Sequence, residues 1–457
     1  MNRDFGQFPP RILAGAVVLA LAACGGGDDE DGPARGSVIG APTPVAALST
    51  AQIDSISSAQ GVSALTGPAK CSVSLSTIEY NTVGGKGEAT NATAAVMVPG
   101  GGAGCTGARP VLLYAHGTAI DKRFDSTDLE HNPEPRTAMA FFAAQGYLVV
   151  APNYTGYHRS KLPYHPYLNA EAQSRDVIDA LRAARSSMPN ISTTTSFGKQ
   201  LFVAGYSQGG HVAMATARAL QNDYSTEFKL AGSVPMSGPY ALGDAAKASF
   251  NGEQVYGASI FLPMLVDSYQ NAYGNLYVKP SDIYAAPFDT FAVGLLPTLD
   301  PASAMAKLPA GADGNYRTLF DAGDGQPYLF NASFAAAART DASPLTQAMQ
   351  RNSLLGWKPT APMALCNGAL DPTVQGFNSV KAVQSFAQQG VTVPHWDLED
   401  ANSVPPAIKQ AFDALKQQTL LAKGPAGMIK AYHAGLVPPF CFALAKGYFD
   451  QIVAAAP

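Results

Sequence analysis

The 457-residue chain has few charged residues and no concentration of positive charge. Charged side chains make up 14% of the sequence, the formal net charge is −4, and no basic block occurs. Because nucleic-acid binding needs a basic surface, that function has little support. Neither an HExxH nor an H-x-x-E-H pattern occurs, which disfavours a metalloenzyme. We therefore expect no metal, no cofactor and no nucleic-acid partner.

The N-terminus also lacks an apolar run long enough to cross a bilayer as a helix. The run from Ile12 to Leu21 has about ten residues, whereas a spanning helix needs roughly 20. Arg3 and Arg11 precede or border it, so residues 1–23 are typical of an export signal.

The end of this run, Leu21-Ala-Ala-Cys24, resembles the bacterial lipobox. The resemblance implies a lipid on Cys24 and a membrane as partner, and Gly25 after it favours the outer membrane or cell surface. The alternative is an ordinary signal peptide in which Cys24 carries no lipid. Residues 24–48, rich in Gly, Asp and Pro, hold too little apolar surface to fold, so we expect a flexible tether there.

Cysteine is scarce, with five residues in the chain. If Cys24 carries a lipid, the remaining four form an even number in an oxidising compartment, where disulfides are expected. Four cysteines can pair in three ways. We favour Cys71–Cys105 together with Cys366–Cys441; the alternative is four buried thiols.

Continuous apolar runs alternate with helix-like segments in most of the chain after residue 49. Six such runs precede residue 243, the sixth being Ala231 to Met236, and the alternation resumes at Pro362. Apolar strands between helices predict a mostly parallel sheet covered on both faces. Residues 243–360 lack this alternation and are too long for a plain loop. We predict a core from residues 49–242 and 361–457 with an inserted cap from residues 243–360.

The most informative motif is Gly205-Tyr-Ser-Gln-Gly209, which lies between an apolar run and a helix-like segment. In a tight strand-to-helix turn, small residues two places before and after a serine let its hydroxyl project above the sheet. The free N–H groups at the helix start favour a developing anion. We predict that Ser207 is a nucleophile; the alternative is an ordinary turn.

A serine nucleophile needs a base and an orienting acid, in the chain order Ser, acid, His. Among the histidines after Ser207, we favour His433 because it lies beyond the last predicted strand, in a sequence that predicts a loop. His395, inside that strand, is the runner-up. Asp371 follows the preceding strand and is the favoured acid, ahead of Asp397 and Asp400.

The tetrahedral anion formed by such a nucleophile needs backbone N–H donors. One should be Gln208, directly after the serine, and the other Thr118, after the His116-Gly117 pair that follows the third apolar run. We expect His116 to brace this loop. Tyr154, Tyr157 and Tyr206 are candidate substrate contacts, although the first two could equally serve packing.

Four motifs together resemble bacterial α/β-hydrolases related to the fungal secretory lipases: Tyr114-Ala-His-Gly-Thr118, Gly205-Tyr-Ser-Gln-Gly209, Leu365-Cys-Asn-Gly368 with Asp371, and Tyr432-His433 followed by Cys441. The resemblance implies an α/β-hydrolase fold, a cap between the sixth strand and the acid, and cleavage of carboxylic esters through an acyl-enzyme. A Cys366–Cys441 bridge would then hold acid and base in register.

The substrate is less narrowly predicted than the chemistry. Apolar side chains of the cap could line an acyl pocket or form the core of the cap itself: Tyr256, Phe261, Leu262, Met264, Leu265, Phe288, Phe291 and Leu295. An enzyme tethered outside the cell suits bulky or polymeric esters, including triglycerides and polyesters. The alternatives are an exopeptidase with the same triad and a non-catalytic surface binding protein.

Overall fold

The computed structural model describes residues 33–252, 255–309, 319–321, 323 and 325–455. The predicted signal peptide, Cys24 and the first part of the predicted tether lie outside these residues. Within the described part, no helix combines the length and apolarity needed to cross a membrane.

The described residues form a nine-stranded sheet in the order β1-β2-β3-β5-β4-β6-β7-β8-β9. The first three pair antiparallel, and β3 is antiparallel to β5; from β5 to β9 neighbouring strands are parallel. The strands are β1 (Thr43–Leu48), β2 (Ser72–Val83), β3 (Ala89–Gly100), β4 (Gly107–Ala115), β5 (Leu148–Pro152), β6 (Thr195–Tyr206), β7 (Leu230–Met236), β8 (Leu365–Asn367) and β9 (His395–Asp397).

Helices surround the sheet and fill the long connection between β7 and β8. The helices are α1 (Thr50–Ala59), α2 (Ser63–Thr66), α3 (Pro133–Phe141), α4 (Ala170–Ile191), α5 (Gln208–Asn222), α6 (Leu242–Phe250), α7 (Ala258–Tyr273), α8 (Pro301–Lys307), α9 (Ala332–Ala338), α10 (Pro344–Arg351), α11 (Phe377–Gln388), α12 (Pro406–Ala431) and α13 (Val437–Ala455). Helix α12 is interrupted at Gly424, whose φ is 68°.

The central strands are apolar throughout because both faces of the sheet are covered. In β4, Leu112 and Tyr114 belong to the cluster on one face, while Val111 and Leu113 belong to the cluster on the other. Side chains alternate between the faces of a strand, so burial on both sides removes the polar–apolar alternation. The predicted mostly parallel α/β sheet is confirmed.

The N-terminal boundary of the folded body differs from the prediction. Residues 24–48 were expected to be a tether, and the core to begin at residue 49, yet Thr43–Leu48 pairs with β2 as an edge strand. Upstream of it, Arg35 forms an ion pair of 3.0 Å with the buried Asp179. Because β1 is almost entirely exposed, main-chain hydrogen bonds rather than apolar burial hold it, and the apolar pattern gave no signal.

The connection between β7 and β8 has a hydrophobic cluster of its own, which includes Phe250, Tyr269, Tyr284 and Phe330. Its described helices are α6 to α10, which lie within the predicted cap 243–360 except that α6 begins one residue earlier, at Leu242. The sixth strand of the sequence prediction corresponds to β7, because β1 was not predicted. Both favoured cysteine pairs are present as disulfides, with Cα–Cα distances of 5.5 Å for Cys71–Cys105 and 5.6 Å for Cys366–Cys441.

Candidate active site

Ser207 occupies a sharp turn between β6 and α5. Its φ is 60° and its ψ is −123°, a conformation that is strained for a residue with a side chain. A Cβ at Gly209 would lie 1.9 Å from the carbonyl oxygen of Ala115, and one at Gly205 would lie 2.2 Å from that of Gly209. Both positions therefore require glycine, for the reason that the motif suggested.

The structure brings Ser207, His433 and Asp371 together. The Nε2 atom of His433 lies 2.7 Å from Ser207 Oγ, and its Nδ1 atom lies 2.6 Å from Asp371 Oδ2. Since a carboxylate only accepts, Nδ1–H is the donor to Asp371, and Nε2 is left to accept the proton of the serine hydroxyl. This is the geometry that serine activation needs.

The aspartate is fixed by its own loop. The other carboxylate oxygen of Asp371, Oδ1, accepts hydrogen bonds from the backbone N–H groups of Thr373 (2.9 Å) and Val374 (3.0 Å). Its side chain is fully buried, whereas that of His433 is 11% exposed. The imidazole can therefore be reached by a small group from solvent while the acid cannot.

His433 does not lie in a loop, contrary to the sequence prediction. Tyr432–Leu436 is a wide helical turn that joins α12 to α13. Gly435, Pro438 and Pro439 suggested a loop, yet the two prolines fall in the first turn of α13. Proline provides no N–H for a helical hydrogen bond, and both prolines are accommodated directly after the wide turn.

The other acid and base candidates are engaged elsewhere. His395 Nε2 pairs with the side chain of Asn367 on the neighbouring strand, as expected for a residue fixed in the sheet. His211 Nε2 donates to the carbonyl oxygen of Asn352. Asp397 accepts from the backbone N–H of Ala369. Asp400 accepts from the backbone N–H of Asn402 at the surface.

Thr118 and Gln208 flank Ser207 in one cavity. Among the described residues, the structure assigns no hydrogen-bond acceptor to the backbone N–H of either. The Thr118 hydroxyl pairs with Tyr167 at 3.0 Å. The two backbone N–H groups are thus available to an oxyanion formed at Ser207, as the motif predicts.

His116 is bound into the loop before Thr118. Its ring stacks between Phe124 and Tyr154, with centroids 4.0 and 4.1 Å away, and its Nδ1 lies 2.7 Å from the carbonyl oxygen of Gly117. Burial lowers the pKa of His116 to about 4, so the ring is neutral at pH 7. The structure agrees with a bracing role.

Two of the three candidate substrate contacts serve this loop instead. The Tyr154 hydroxyl donates to the carbonyl oxygen of His116 (3.0 Å), and that of Tyr157 donates to Ala119 (2.6 Å). Both side chains are 0% exposed, so a direct contact of either with substrate is not possible in this structure. Tyr206 borders a cleft, but its hydroxyl donates to the carbonyl oxygen of His433 (2.6 Å) and so supports the base.

The chain is similar in sequence and in fold to known lipases and esterases. The model of the secretory lipase family matches residues 136–279. The ligand-bound rice cell wall degrading esterase LipA from Xanthomonas oryzae is 27% identical, with a TM-score of 0.72, over 87% of this chain and 98% of that one. Candida antarctica lipase A is 13% identical, with a TM-score of 0.55, over 92% and 91%, and shows the fold alone. No curated protein sequence matches the chain.

The chain is a carboxylic ester hydrolase. Its fold is that of the α/β-hydrolases.

Sequence reasoning missed one acidic residue of this hydrolase that lies next to the triad. The Glu134 carboxylate accepts from the N–H of Gly117 (2.9 and 3.1 Å) and from the Tyr114 hydroxyl (2.6 Å). Burial raises the pKa of Glu134 to about 7, although these bonds oppose the shift. No local pattern marks this glutamate, because its contact arises only when α3 packs beside the loop after β4.

A histidine that sequence reasoning did not single out orients Gln208. The Gln208 Nε2 atom donates to His165 Nε2 at 2.7 Å, and His165 Nδ1 donates to the carbonyl oxygen of Thr155 at 2.9 Å. Burial lowers the pKa of His165 to about 3, which keeps the ring neutral and able to accept. This pair fixes the residue that begins α5 directly after the serine.

Two cavities meet at Ser207. The cap cavity has a volume of about 100 Å³ and is lined by apolar residues such as Phe261, Leu262 and Leu265. The second, which we call the His433 cleft, has a volume of about 600 Å³ and lies between α1, α3 and the start of α13. Of the other apolar residues expected in a pocket, Met264 and Phe288 lie in the cluster of the cap itself.

In the described part of the chain, no group of three or more His, Cys, Asp or Glu could hold a metal ion.

Proposed function

We propose that this hydrolase cleaves carboxylic esters through an acyl-enzyme on Ser207. His433 takes the hydroxyl proton as Ser207 Oγ attacks the carbonyl carbon, and Asp371 holds the imidazole in the tautomer that can accept it. The N–H groups of Thr118 and Gln208 bind the oxyanion. The observation that carries the proposal is the unbroken chain of hydrogen bonds from Asp371 through His433 to Ser207, at 2.6 and 2.7 Å.

The test of the nucleophile is Ser207→Ala. We expect loss of nitrophenyl ester hydrolysis with an unchanged circular dichroism spectrum, because only the attacking oxygen is removed. In the native hydrolase, an intact-mass measurement after a short pulse of nitrophenyl butyrate should show one butyryl group on Ser207. A folded Ser207→Ala variant that keeps its activity would contradict the assignment.

The test of the base compares two histidines, His433 in the turn before α13 and His395 at the start of β9. His433→Ala should reduce kcat by roughly 10³-fold or more, because the residual rate comes from the oxyanion donors and binding. His395→Ala is the matched control, since it removes the same ring from a partly buried site that contacts Asn367 rather than Ser207. A larger loss in His395→Ala would move the base to that residue.

For the substrate, we propose esters whose acyl part enters the cap cavity. The apolar side chains of Leu262 and Leu265 beside Ser207 support this, since apolar ligand parts bind where they leave water. We further propose that the protein is exported and anchored by a lipid on Cys24, so that bulky or polymeric esters, including polyesters, are accessible to it. The match to the secretory lipase model supports export.

Substrate range and anchoring have separate tests. A chain-length series of nitrophenyl esters, run beside an emulsified triglyceride and a polyester film, ranks the candidate substrates. Mass spectrometry of the mature protein should find diacylglycerol on Cys24. A mature chain that starts elsewhere would contradict the proposed lipid anchor without affecting the proposed ester chemistry.

A further inference from the structure

The two cavities that meet at Ser207 differ in what they offer to a substrate. Ser207, Thr118 and Phe261 border both, whereas His433 borders the His433 cleft and is not part of the lining of the cap cavity. A substrate bound across Ser207 therefore has one part beside the imidazole and the other part beneath the cap.

The direction of proton transfer decides which part of the ester, acyl or alcohol, lies beside His433. Attack by Ser207 Oγ forms a bond to the carbonyl carbon, and the hydroxyl proton passes to His433 Nε2. When the tetrahedral intermediate collapses, the bond from that carbon to the alkoxy oxygen breaks, and this oxygen takes the proton from Nε2 and leaves as a neutral alcohol. The alkoxy oxygen must then lie within hydrogen-bond reach of His433.

We infer that the His433 cleft is the subsite for the alcohol part of the ester, and that it takes a bulky, uncharged alcohol. This inference rests on the serine mechanism proposed above. Its volume of about 600 Å³ lies within the range of sites that enclose drug-sized ligands, roughly 300–1,000 Å³. The cap cavity, at about 100 Å³, falls below that range and suits a short acyl group.

The lining of the cleft indicates the chemistry of that alcohol. Phe261, Pro438 and Pro439 supply partly exposed apolar surface, and Gln60 and Thr137 supply polar side chains. Apart from His433, the lining contains one acidic and one basic side chain, Glu134 and Arg136, so no cluster of like charges is present that would select a charged alcohol. An alcohol with an apolar body and a few hydroxyl or ether groups fits this surface.

The chain offers a substitution site inside the cleft that should not disturb the fold. Gly435 is exposed and lines the cleft, and a Cβ built on it meets no atom within 4 Å. Gly435→Trp should therefore fill the cleft from its wall. Gly447→Trp is the matched control, because Gly447 is also exposed, has equal space around its Cβ, and lies in α13 away from the cleft lining.

The assay follows the fate of one acyl-enzyme. Nitrophenyl butyrate loads the enzyme with butyrate, and water competes with added methanol or 2-cyclohexylethanol for the acyl group. The ratio of the two butyrate esters formed, corrected for alcohol concentration, does not depend on the amount of folded enzyme. We expect Gly435→Trp to lower the ratio of cyclohexylethyl to methyl ester about tenfold or more, and Gly447→Trp to leave it unchanged.

Two results would overturn the inference. An unchanged ratio in Gly435→Trp would mean that alcohols do not use the cleft. A shift in acyl-chain preference, measured with methyl esters, without a change in alcohol preference would mean that the cleft holds the acyl group. Leu262→Trp in the cap cavity should give this second pattern. Failure to form any butyryl adduct on Ser207 would instead contradict the serine mechanism itself.

Discussion

The Cys366–Cys441 disulfide connects the two polypeptide segments that carry the proposed acid, Asp371, and the proposed base, His433. Cys366 lies in β8, directly before the loop of Asp371, and Cys441 lies in α13, directly after the turn that carries His433. The Cys71–Cys105 disulfide lies where β2 and β4 begin, while Ser207 lies at the carboxyl end of β6. Removing each bridge by paired alanine substitution separates general stabilisation from positioning of the triad.

The stability effects of the two removals should be similar. The bridges close loops of 75 and 34 residues. The chain-entropy relation gives about 4.5 kcal/mol for the longer loop and about 3.8 kcal/mol for the shorter one at 25 °C. All four cysteines are at most 1% exposed, so alanine leaves comparable small voids at both sites. Urea unfolding should therefore show nearly equal losses in the free energy of unfolding.

The catalytic effects should differ. The proposed triad depends on contacts of 2.6 and 2.7 Å, and a displacement of about 1 Å can cost on the order of 10²-fold in rate. We expect C366A/C441A to lower kcat roughly 10- to 100-fold and C71A/C105A to change it less than about twofold. Rates should be measured well below the unfolding transition and normalised to active sites titrated with a fluorophosphonate. Equal normalised kcat values in the two variants would refute the positioning role.

Three further predictions concern acidic residues. Asp371→Asn should lower kcat for nitrophenyl butyrate by roughly 10³- to 10⁴-fold with little change in KM, because the amide favours the wrong tautomer of His433. A smaller effect than that of a surface control such as Asp400→Asn would contradict this prediction. Burial raises the pKa of Glu134 to about 7, so its carboxylate, the stronger hydrogen-bond acceptor, forms as pH rises through 7 and should contribute to a rise in kcat between pH 6 and 8. Glu134→Gln should remove this contribution, and an unchanged pH profile in the variant would exclude a role for Glu134. Burial raises the pKa of Asp267 from 3.8 to about 7, so between these values the folded state keeps a proton that the unfolded chain loses. The free energy of unfolding should therefore fall as pH rises from about 4 to 7, by up to about 4 kcal/mol. Asp267→Asn should flatten this dependence in urea unfolding, and a parallel slope in both proteins would refute the prediction.

The parts of the fold that the sequence predicts best are those fixed by local chemistry. The apolar runs predicted the buried strands of the parallel part of the sheet because both of their faces are covered. The glycines at 205 and 209 predicted the turn at Ser207 because any side chain there would strike a backbone oxygen. In both cases one physical requirement determines the residue type at each position.

The features that the sequence did not predict depend on long-range contacts or on context. Strand β1 is held by backbone hydrogen bonds to β2, which leave no trace in residue type. The turn around His433 contains glycine and is followed by two prolines, and the same residues suit a loop or the start of a helix. The contact between Glu134 and Gly117 forms because α3 packs beside the loop after β4, and no local sequence pattern predicts that packing.

The chain leaves the sheet at β7 for the cap and comes back at β8, and these two strands pair directly, Met236 with Cys366. Both ends of the insertion are therefore anchored side by side by the sheet, whatever lies between them. Lengthening a segment between fixed ends costs free energy only as the logarithm of its length. We therefore expect the scaffold to tolerate exchange of the cap between related enzymes. The proposed acyl preference should then move with the cap, because Ser207, Asp371 and His433 lie outside the exchanged segment.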